Sequence, residues 1–310
     1  MSAVMRVRFW GVRGSIPCPG ENTWRYGGNS ACIELRAGDT DRLIIIDAGS
    51  GIRELGNHLL SQDPPKGPVV AQIFLSHTHW DHIMGFPYFM PIYIPGSKLT
   101  VYGPVTFEDD PLEEVIGGQM KYRYFPVNLG ELRSEIRYRR LRETLKLDLG
   151  DGLTVTTKFL NHPVTTLGYR FQYGGKAFYV CYDTEPFRNL FITDTNHPDY
   201  DETMALEGEE VAAEQNAAIE AFFAGADLLV HDAQYTEAEY RLNRIGWGHS
   251  SMEYAVAAAK RAGVKRLALF HHDPDRTDQQ LDELAEVYCR QGSDAGPDIF
   301  FAKEGMFIEL

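Results

Sequence analysis

Apolar positions along the chain gather into short runs of strand length, divided by turn residues. Val4 to Trp10, Ser30 to Arg36 and Arg42 to Ile46 read as successive strands; Asp47-Ala-Gly-Ser-Gly51 closes the last, and a helix runs on to about Leu60. Pro64, Pro65, Gly67 and Pro68 mark a loop, and Val69 to Leu75 has the length and β-branched content of a buried strand. Strand-like runs resume at Arg137–Leu141, Leu153–Phe159, Gly168–Tyr173, Ala177–Cys181, Asp227–Val230, Arg266–Phe270 and Gly305–Leu310, with Tyr173-Gly-Gly-Lys176 a hairpin turn of the glycine type. Helical apolar spacing covers Glu207–Phe223, Met252–Ala262 and Gln279–Gln291. Two strand–helix halves without a short fixed repeat predict a single α/β domain over residues 1–310.

The stretch from about 104 to 143 breaks this alternation. It carries a short helix at Pro111–Ile116, then Gly117-Gly118 and the aromatic-rich Lys121-Tyr-Arg-Tyr-Phe-Pro126. It reads as an inserted, lid-like segment near a site.

Composition narrows the function classes. The chain is 44% hydrophobic and 24% charged, ordinary for a soluble domain. It shows no apolar run near ~18 residues and no basic-then-apolar leader, so neither a membrane span nor a signal peptide is expected. Cys18, Cys32, Cys181 and Cys289 lie far apart without a CxxC pair, which fits reduced thiols and a cytoplasmic location. The net charge of −14 weighs against a surface that grips a nucleic-acid backbone. The densest basic cluster, Arg133 to Arg142, is interleaved with Glu131, Glu135 and Glu143 and reads as a solvated face. Long polyanionic substrates are therefore disfavoured, so no stable nucleic-acid partner and no membrane are expected; a homodimer is compatible with the sequence.

The chemistry concentrates where the Val69–Leu75 run stops. His77 and His79 lie two residues apart, so an extended backbone points both imidazoles the same way, and Asp81 and His82 follow at once. Histidine with carboxylate favours zinc or a similar first-row ion, and four such groups in six residues favour two ions over one. Three later strand-like runs also end in chemistry: His162 after Phe159, Asp183 after Phe178–Cys181, and His271-His272-Asp273 after Leu267–Phe270. Strand ends at one edge of a sheet are where α/β proteins gather their site residues.

His77-Thr-His79-Trp-Asp81-His82 resembles the His-x-His-x-Asp-His signature of the metallo-β-lactamase fold. The resemblance implies an αββα four-layer sandwich with a dinuclear metal site at one edge. It assigns His77, His79 and His162 to one ion, Asp81, His82 and His271 to the other, and Asp183 as the bridge. Such a bridge would hold two cations roughly 3.5–4 Å apart around a shared, acidified water. His272 stands as the alternative last ligand, with His271 preferred because it continues directly from its strand. Asp47 resembles the family's early Asp, which orients the histidine loop. Zinc is the expected metal, with manganese and iron as alternatives.

Two further elements select a branch. Val230-His231-Asp232-Ala233 and Trp247-Gly-His249-Ser-Ser251, with His162…Gly168-Tyr169-Arg170 and Tyr182-Asp183-Thr184, resemble the phosphodiesterase branch that includes ribonuclease Z. The resemblance gives His249 the role of proton donor to the leaving alkoxide and Asp232 that of orienting it, with Asp standing where relatives often have Glu. Asp81, His249 and Asp232 are thus the residues expected to act in catalysis, and His231 is expected to be buried structure. Phe9-Trp-Gly-Val-Arg-Gly-Ser15 and Tyr26-Gly-Gly-Asn29 are similar to a bacterial subgroup described as cyclic-nucleotide-phosphodiesterase-like, which makes Arg13, Asn29 and His272 candidate substrate contacts. The expected function is metal-dependent hydrolysis of a small phosphodiester such as a cyclic nucleotide. The alternatives are a tRNA 3′-end endonuclease, thioester or lactam hydrolysis, and a non-enzymatic metal-binding redox sensor.

Overall fold

The computed structural model describes residues 4–38, 40–61, 67–289 and 296–310. Pro64 and Pro65 of the expected loop, and the last two residues of the helix expected to reach Gln291, lie outside them. Seven strands build a first sheet: β1 (Met5–Gly11), β2 (Cys32–Ala37), β3 (Arg42–Ile46), β4 (Val70–Phe74), β5 (Lys98–Pro104), β6 (Glu135–Leu141) and the C-terminal β14 (Phe307–Glu309). Seven more build the second: β7 (Lys146–Gly150), β8 (Leu153–Leu160), β9 (Thr166–Tyr173), β10 (Lys176–Cys181), β11 (Leu228–Asp232), β12 (Arg266–Phe270) and β13 (Asp298–Phe301). The helices are α1 (Gly51–Leu60), α2 (Trp80–Ile83), α3 (Leu112–Gly118), α4 (Glu202–Phe222), α5 (Glu237–Asn243), α6 (Met252–Arg261) and α7 (Asp278–Tyr288).

The sheet orders are β14-β1-β2-β3-β4-β5-β6 and β13-β12-β11-β10-β9-β8-β7. Each is antiparallel along one flank and parallel along the other, with the change at β3 in one sheet and β10 in the other. The parallel strands β3, β4, β11 and β12 are covered on both faces, so they read as nearly unbroken apolar runs. In Leu43-Ile-Ile-Ile46, Ile44 and Ile46 face the other sheet while Leu43 and Ile45 face the outer helices. Val230, Ala268 and Phe270 repeat this from the second sheet, with Leu229, Leu267 and Leu269 turned to its own helices. The inter-sheet core joins Phe9, Ile33, Leu35 and Phe74 to Val155, Phe171, Phe178 and Val180. Ile52 and Leu55 of α1 and Ile116 of α3 seal the outside of one sheet; Ile219 of α4, Ala255 of α6 and Leu281 of α7 seal the other. These four layers are the expected αββα sandwich.

Of the 104–143 stretch, β6 is the edge strand of the first sheet, parallel to β5. The intervening chain packs Leu112, Ile116 and Met120 into the outer core of that sheet. Gln119 Nε2 also donates to the Ile83 carbonyl (3.0 Å), which ties the crossover to the turn bearing Asp81 and His82. β5, β7 and β13 had no counterpart among the expected strands. β7 (Lys-Leu-Asp-Leu-Gly) is a mostly solvated edge strand, too polar to stand out as an apolar run.

Candidate metal centre and active site

The site stands where the parallel strands end. Asp47 follows β3, His77 comes just after β4, Asp183 just after β10, Asp232 closes β11 and His271 follows β12. Three of these residues, Asp47, Asp183 and His271, hold positive φ of 58°, 55° and 62°. Non-glycine residues pay for that conformation, and a cluster of them marks a place where the surrounding contacts override local preference.

The structure brings the expected ligand residues together. Donor atoms of His77, His79, His162 and Asp183 lie within 4.8 Å of one another, and so do those of Asp81, His82, Asp183 and His271. Asp183 belongs to both groups. Its Oδ2 lies 3.5 Å from His77 Nε2 and 3.2 Å from His82 Nε2, and its Oδ1 lies 3.2 Å from His271 Nε2. The first group opens to solvent at His79, while the second is buried throughout.

The outward nitrogens of these imidazoles are already engaged. His82 Nδ1 contacts Asp47 Oδ2 (2.7 Å), His162 Nδ1 the Gly248 carbonyl (2.9 Å), and His271 Nδ1 Gln234 Oε1 (3.2 Å). The inward nitrogens face one another, His82 Nε2 to His271 Nε2 at 3.4 Å and His162 Nε2 to His79 Nδ1 at 3.1 Å, and in neutral rings that donate outward they are lone pairs. His77 Nε2 and Asp183 Oδ1 are buried with no hydrogen-bond partner. Converging lone pairs and orphaned buried acceptors need a positive charge among them. The donor set therefore fits divalent metal ions, and the shared carboxylate fits a pair.

Charge balance separates the two groups. Burial pushes His77, His79 and His162 down, His162 to about 4, so the first group presents neutral imidazoles ready to ligate. Burial also opposes charge on His82, but Asp183, Asp81 and Asp47 outweigh it and hold its pKa well above the usual range. Metal entering the second group would displace that proton.

Asp47 accepts from the Ser76 backbone N–H (2.6 Å) and Ser76 Oγ (2.7 Å) as well as facing His82, which fixes the histidine loop. Ser15 N–H donates to Asp81 Oδ2 (2.8 Å), and a Cβ on Gly14 would stand 2.3 Å from the His271 ring. The N-terminal Gly-Ser turn thus buttresses both Asp81 and His271.

His249 and Asp232 form a dyad, Nδ1 to Oδ2 at 2.7 Å, so aspartate has the reach required. Thr184 N–H and Gln234 N–H also donate to Asp232, 3.2 Å each. The His249 ring lies 5.3 Å from that of His162 and 4.9 Å from that of His271, against the cluster. Burial disfavours charge on His249, but Asp232 prevails and its pKa is pushed up to about 9. His231, one residue away, is buried and turns its Nδ1 to the Asp232 carbonyl, a structural role as expected.

The expected substrate contacts are placed elsewhere. Arg13 is fully buried; its Nε donates to the Gly27 carbonyl, its Nη1 to those of Asp273 and Arg276, and its Nη2 lies 3.7 Å from Asp278. Asn29 is held by Glu304 and by Ser50 Oγ. His272 points its Nε2 at the Ala302 carbonyl (2.8 Å), its ring between Tyr26 and Phe301. The left-handed turn at His271 (φ 62°), just past β12, carries its side chain into the cluster, while His272 pairs beside Arg13 and its side chain leaves the cluster. All three brace the fold. Sequence reasoning did not single out Ser15, Ser76, Gln234 or Glu185. Glu185 accepts from the Gly246 and Gly248 N–H groups and from Tyr240 Oη, which holds the loop carrying His249.

A model of the Beta-lactamase superfamily domain matches residues 42–272. The chain is 26% identical over 329 residues to the ribonuclease Z of Lactococcus lactis subsp. cremoris (strain MG1363), covering 97% of this chain and 98% of that protein. It is 28% identical over 320 residues to the ribonuclease Z of Thermococcus sibiricus, covering 92% of each. Its fold is similar to that of the metallo-β-lactamase fold protein YhfI from Bacillus subtilis (TM-score 0.64, 18% identity, 99% of each chain). It is also similar to that of the short form of human tRNase Z (TM-score 0.61, 18% identity, 98% of each chain).

These relatives correct one expectation. The net charge argues against a nucleic-acid partner and the expected substrate is a small phosphodiester or nucleotide, yet the curated relatives that match nearly the whole chain are ribonucleases. Net charge is a sum over the surface and does not report the field at a cleft, where bound cations are the largest local charges. Among the described residues no helix is long and apolar enough to cross a membrane. The protein is a metal-dependent phosphodiester hydrolase, and it belongs to the β-lactamase superfamily, on its ribonuclease Z-like side.

Proposed function

We propose that the chain is a ribonuclease Z-like endonuclease that hydrolyses a phosphodiester of precursor tRNA at a zinc pair. His77, His79, His162 and Asp183 would hold one ion, and Asp81, His82, Asp183 and His271 the other. The observation that carries the reading is the His249–Asp232 dyad (2.7 Å) set against two donor groups that share Asp183. A hydrolase needing only the cations has no use for a further oriented imidazole, whereas an alkoxide leaving group requires a proton.

When bound, the cations supply charge stabilisation at the phosphate and acidify water. The chain supplies orientation and the proton. His249 keeps Nδ1–H on Asp232 and presents Nε2–H to the leaving oxygen. Asp183 and Asp81 add to the high pKa of His249, and cations would offset that part; the direct contact with Asp232 persists and favours the imidazolium near neutral pH. Ser15 N–H steadies Asp81, and the Glu185 contacts keep the His249 loop in register.

The test is incubation of zinc-loaded protein with precursor tRNA, with cut sites mapped at nucleotide resolution. A single cut near the 3′ end of the mature sequence, lost in His249→Ala while both metals remain, is the expected result. Intact precursor with a zinc-loaded protein that hydrolyses bis(p-nitrophenyl) phosphate would refute the RNA assignment.

A further inference from the structure

We propose that the cleft beside His162 is a subsite for one nucleotide of the RNA strand next to the bond that is cut, with Arg188 as its phosphate contact. This rests on the ribonuclease reading above. The cleft has a volume of about 290 Å³, and its walls include His162, Pro163, Phe187, Arg188, Leu190 and Gly248. His162 belongs to the first donor group, so whatever fills this cleft abuts the candidate metal centre. The volume is at the small end for a ligand pocket, suited to one nucleotide and too small for a duplex.

Charge selects the occupant. The carboxylate in the wall is Glu185, and it is taken up by two backbone N–H groups and Tyr240 Oη. Arg188 is exposed and makes no ion pair among the described residues, and its Nη2 lies 3.7 Å from where a Cβ on Gly246 would stand. In a protein of net charge −14, this is an unopposed cation directly beside the site. A guanidinium presents a planar fork that matches phosphate.

The remaining surfaces suit a base and a sugar. Pro163, Phe187 and Leu190 are apolar, and Leu190 is 78% exposed. Trp247, between the two wall glycines in sequence but not itself part of the wall, is 54% exposed, with the Arg244 guanidinium 4.4 Å from its ring centroid. Gly248 has φ +84°, and a Cβ there would come within 2.3 Å of His162 Nδ1, so this wall must be glycine.

The experiment has two arms on metal-loaded enzyme. In the first, KM is compared between precursor tRNA and bis(p-nitrophenyl) phosphate for wild type, Arg188→Ala and Arg188→Lys. Arg188→Ala should raise KM for RNA roughly tenfold more than KM for the small diester, and flatten the dependence of log KM on log salt by about one phosphate contact. Arg188→Lys should recover part of the loss. In the second arm, adenosine monophosphate competes against bis(p-nitrophenyl) phosphate, and Arg188→Ala should weaken that inhibition roughly tenfold. Equal loss on both substrates would mean that Arg188 is structural. A shift with RNA but none with the mononucleotide would place its contact away from this cleft. Either result overturns the proposal. If wild type cuts no RNA, the ribonuclease reading fails by itself and the inhibition arm still decides whether the cleft takes a nucleotide.

Discussion

The two sheets share a plan and supply the site in opposite ways. In the first, one loop after β4 carries His77, His79, Asp81 and His82 within six residues. In the second, the corresponding groups come from separate strand ends: His162 after β8, Asp183 after β10, Asp232 at β11 and His271 after β12. The strands where each sheet turns from antiparallel to parallel, β3 and β10, both lead into an aspartate at positive φ, Asp47 and Asp183. Asp47 stays behind the ligands, bonding Ser76 and His82, whereas Asp183 stands among them. The same backbone device thus places a brace in one half and, in the other, a carboxylate common to both candidate donor groups. A ligand set concentrated in one loop needs a brace to aim it. A set spread over strand ends is aimed by the sheet and needs one residue to join it.

The comparison breaks most completely at Asp183. Asp183→Ala removes the group common to both donor sets, so metal content should fall from about two equivalents toward none and activity should vanish. His79→Ala touches the first set alone and should leave about one equivalent. Elemental analysis of both variants checks this; two equivalents in Asp183→Ala would rule out a shared carboxylate.

His249 gives the next largest effect and involves the second half alone. His249→Ala should retain metal and lose roughly 10²–10⁴-fold in turnover on an alkoxide leaving group. With p-nitrophenolate, which needs little protonation, the loss should be much smaller. Equal losses on the two substrates, measured on one metal-loaded preparation, would show that His249 does not donate the proton.

Asp47 tests the brace. Asp47→Ala frees His82 Nδ1 and the Ser76 turn, and metal affinity should weaken about 10–100-fold, with the activity recoverable at high metal concentration. A chelator titration reads this directly, and an unchanged affinity would mean that the loop aims itself.

Legibility followed the same division. The six-residue loop was evident from composition alone, because few local structures need that density of metal-competent groups. The scattered set could be grouped only through the tendency of strand ends to gather at one edge, and choosing between His271 and His272 needed the register of one peptide. The buried parallel strands β3, β4, β11 and β12 declared themselves as apolar runs, while β5, interrupted by Thr100 and Gly103, and the edge strand β7 did not. The partners that act through backbone or amide groups, such as Ser15 N–H and Gln234 Oε1, leave no residue pattern to find. Arg13 and Asn29 stand in glycine-containing turns and His272 next to His271, where a polar side chain looks available; the partners each already holds are not legible in sequence.

Arg13 gives the smallest effect on chemistry and the sharpest view of how the halves are joined. It leaves the N-terminal loop of the first sheet and donates to the carbonyls of Asp273 and Arg276, which follow β12 of the second. Its Nη2 also faces Asp278 at the start of α7. Arg13→Ala would strip a buried donor from three carbonyls, counting that of Gly27. Asp278 would be left less exposed to penalty, because it also accepts from the N–H groups of Arg25 and Tyr26. Breaking such a buried set costs about 3–5 kcal/mol of stability. Arg13 touches no ligand, so turnover per folded, metal-loaded molecule should stay within about threefold, a loss well under 1 kcal/mol of transition-state stabilisation. Urea unfolding against metal-saturated kinetics separates the two outcomes. A large loss of turnover with stability intact would return Arg13 to the substrate site; lost stability with turnover kept would establish it as the strap between the sheets.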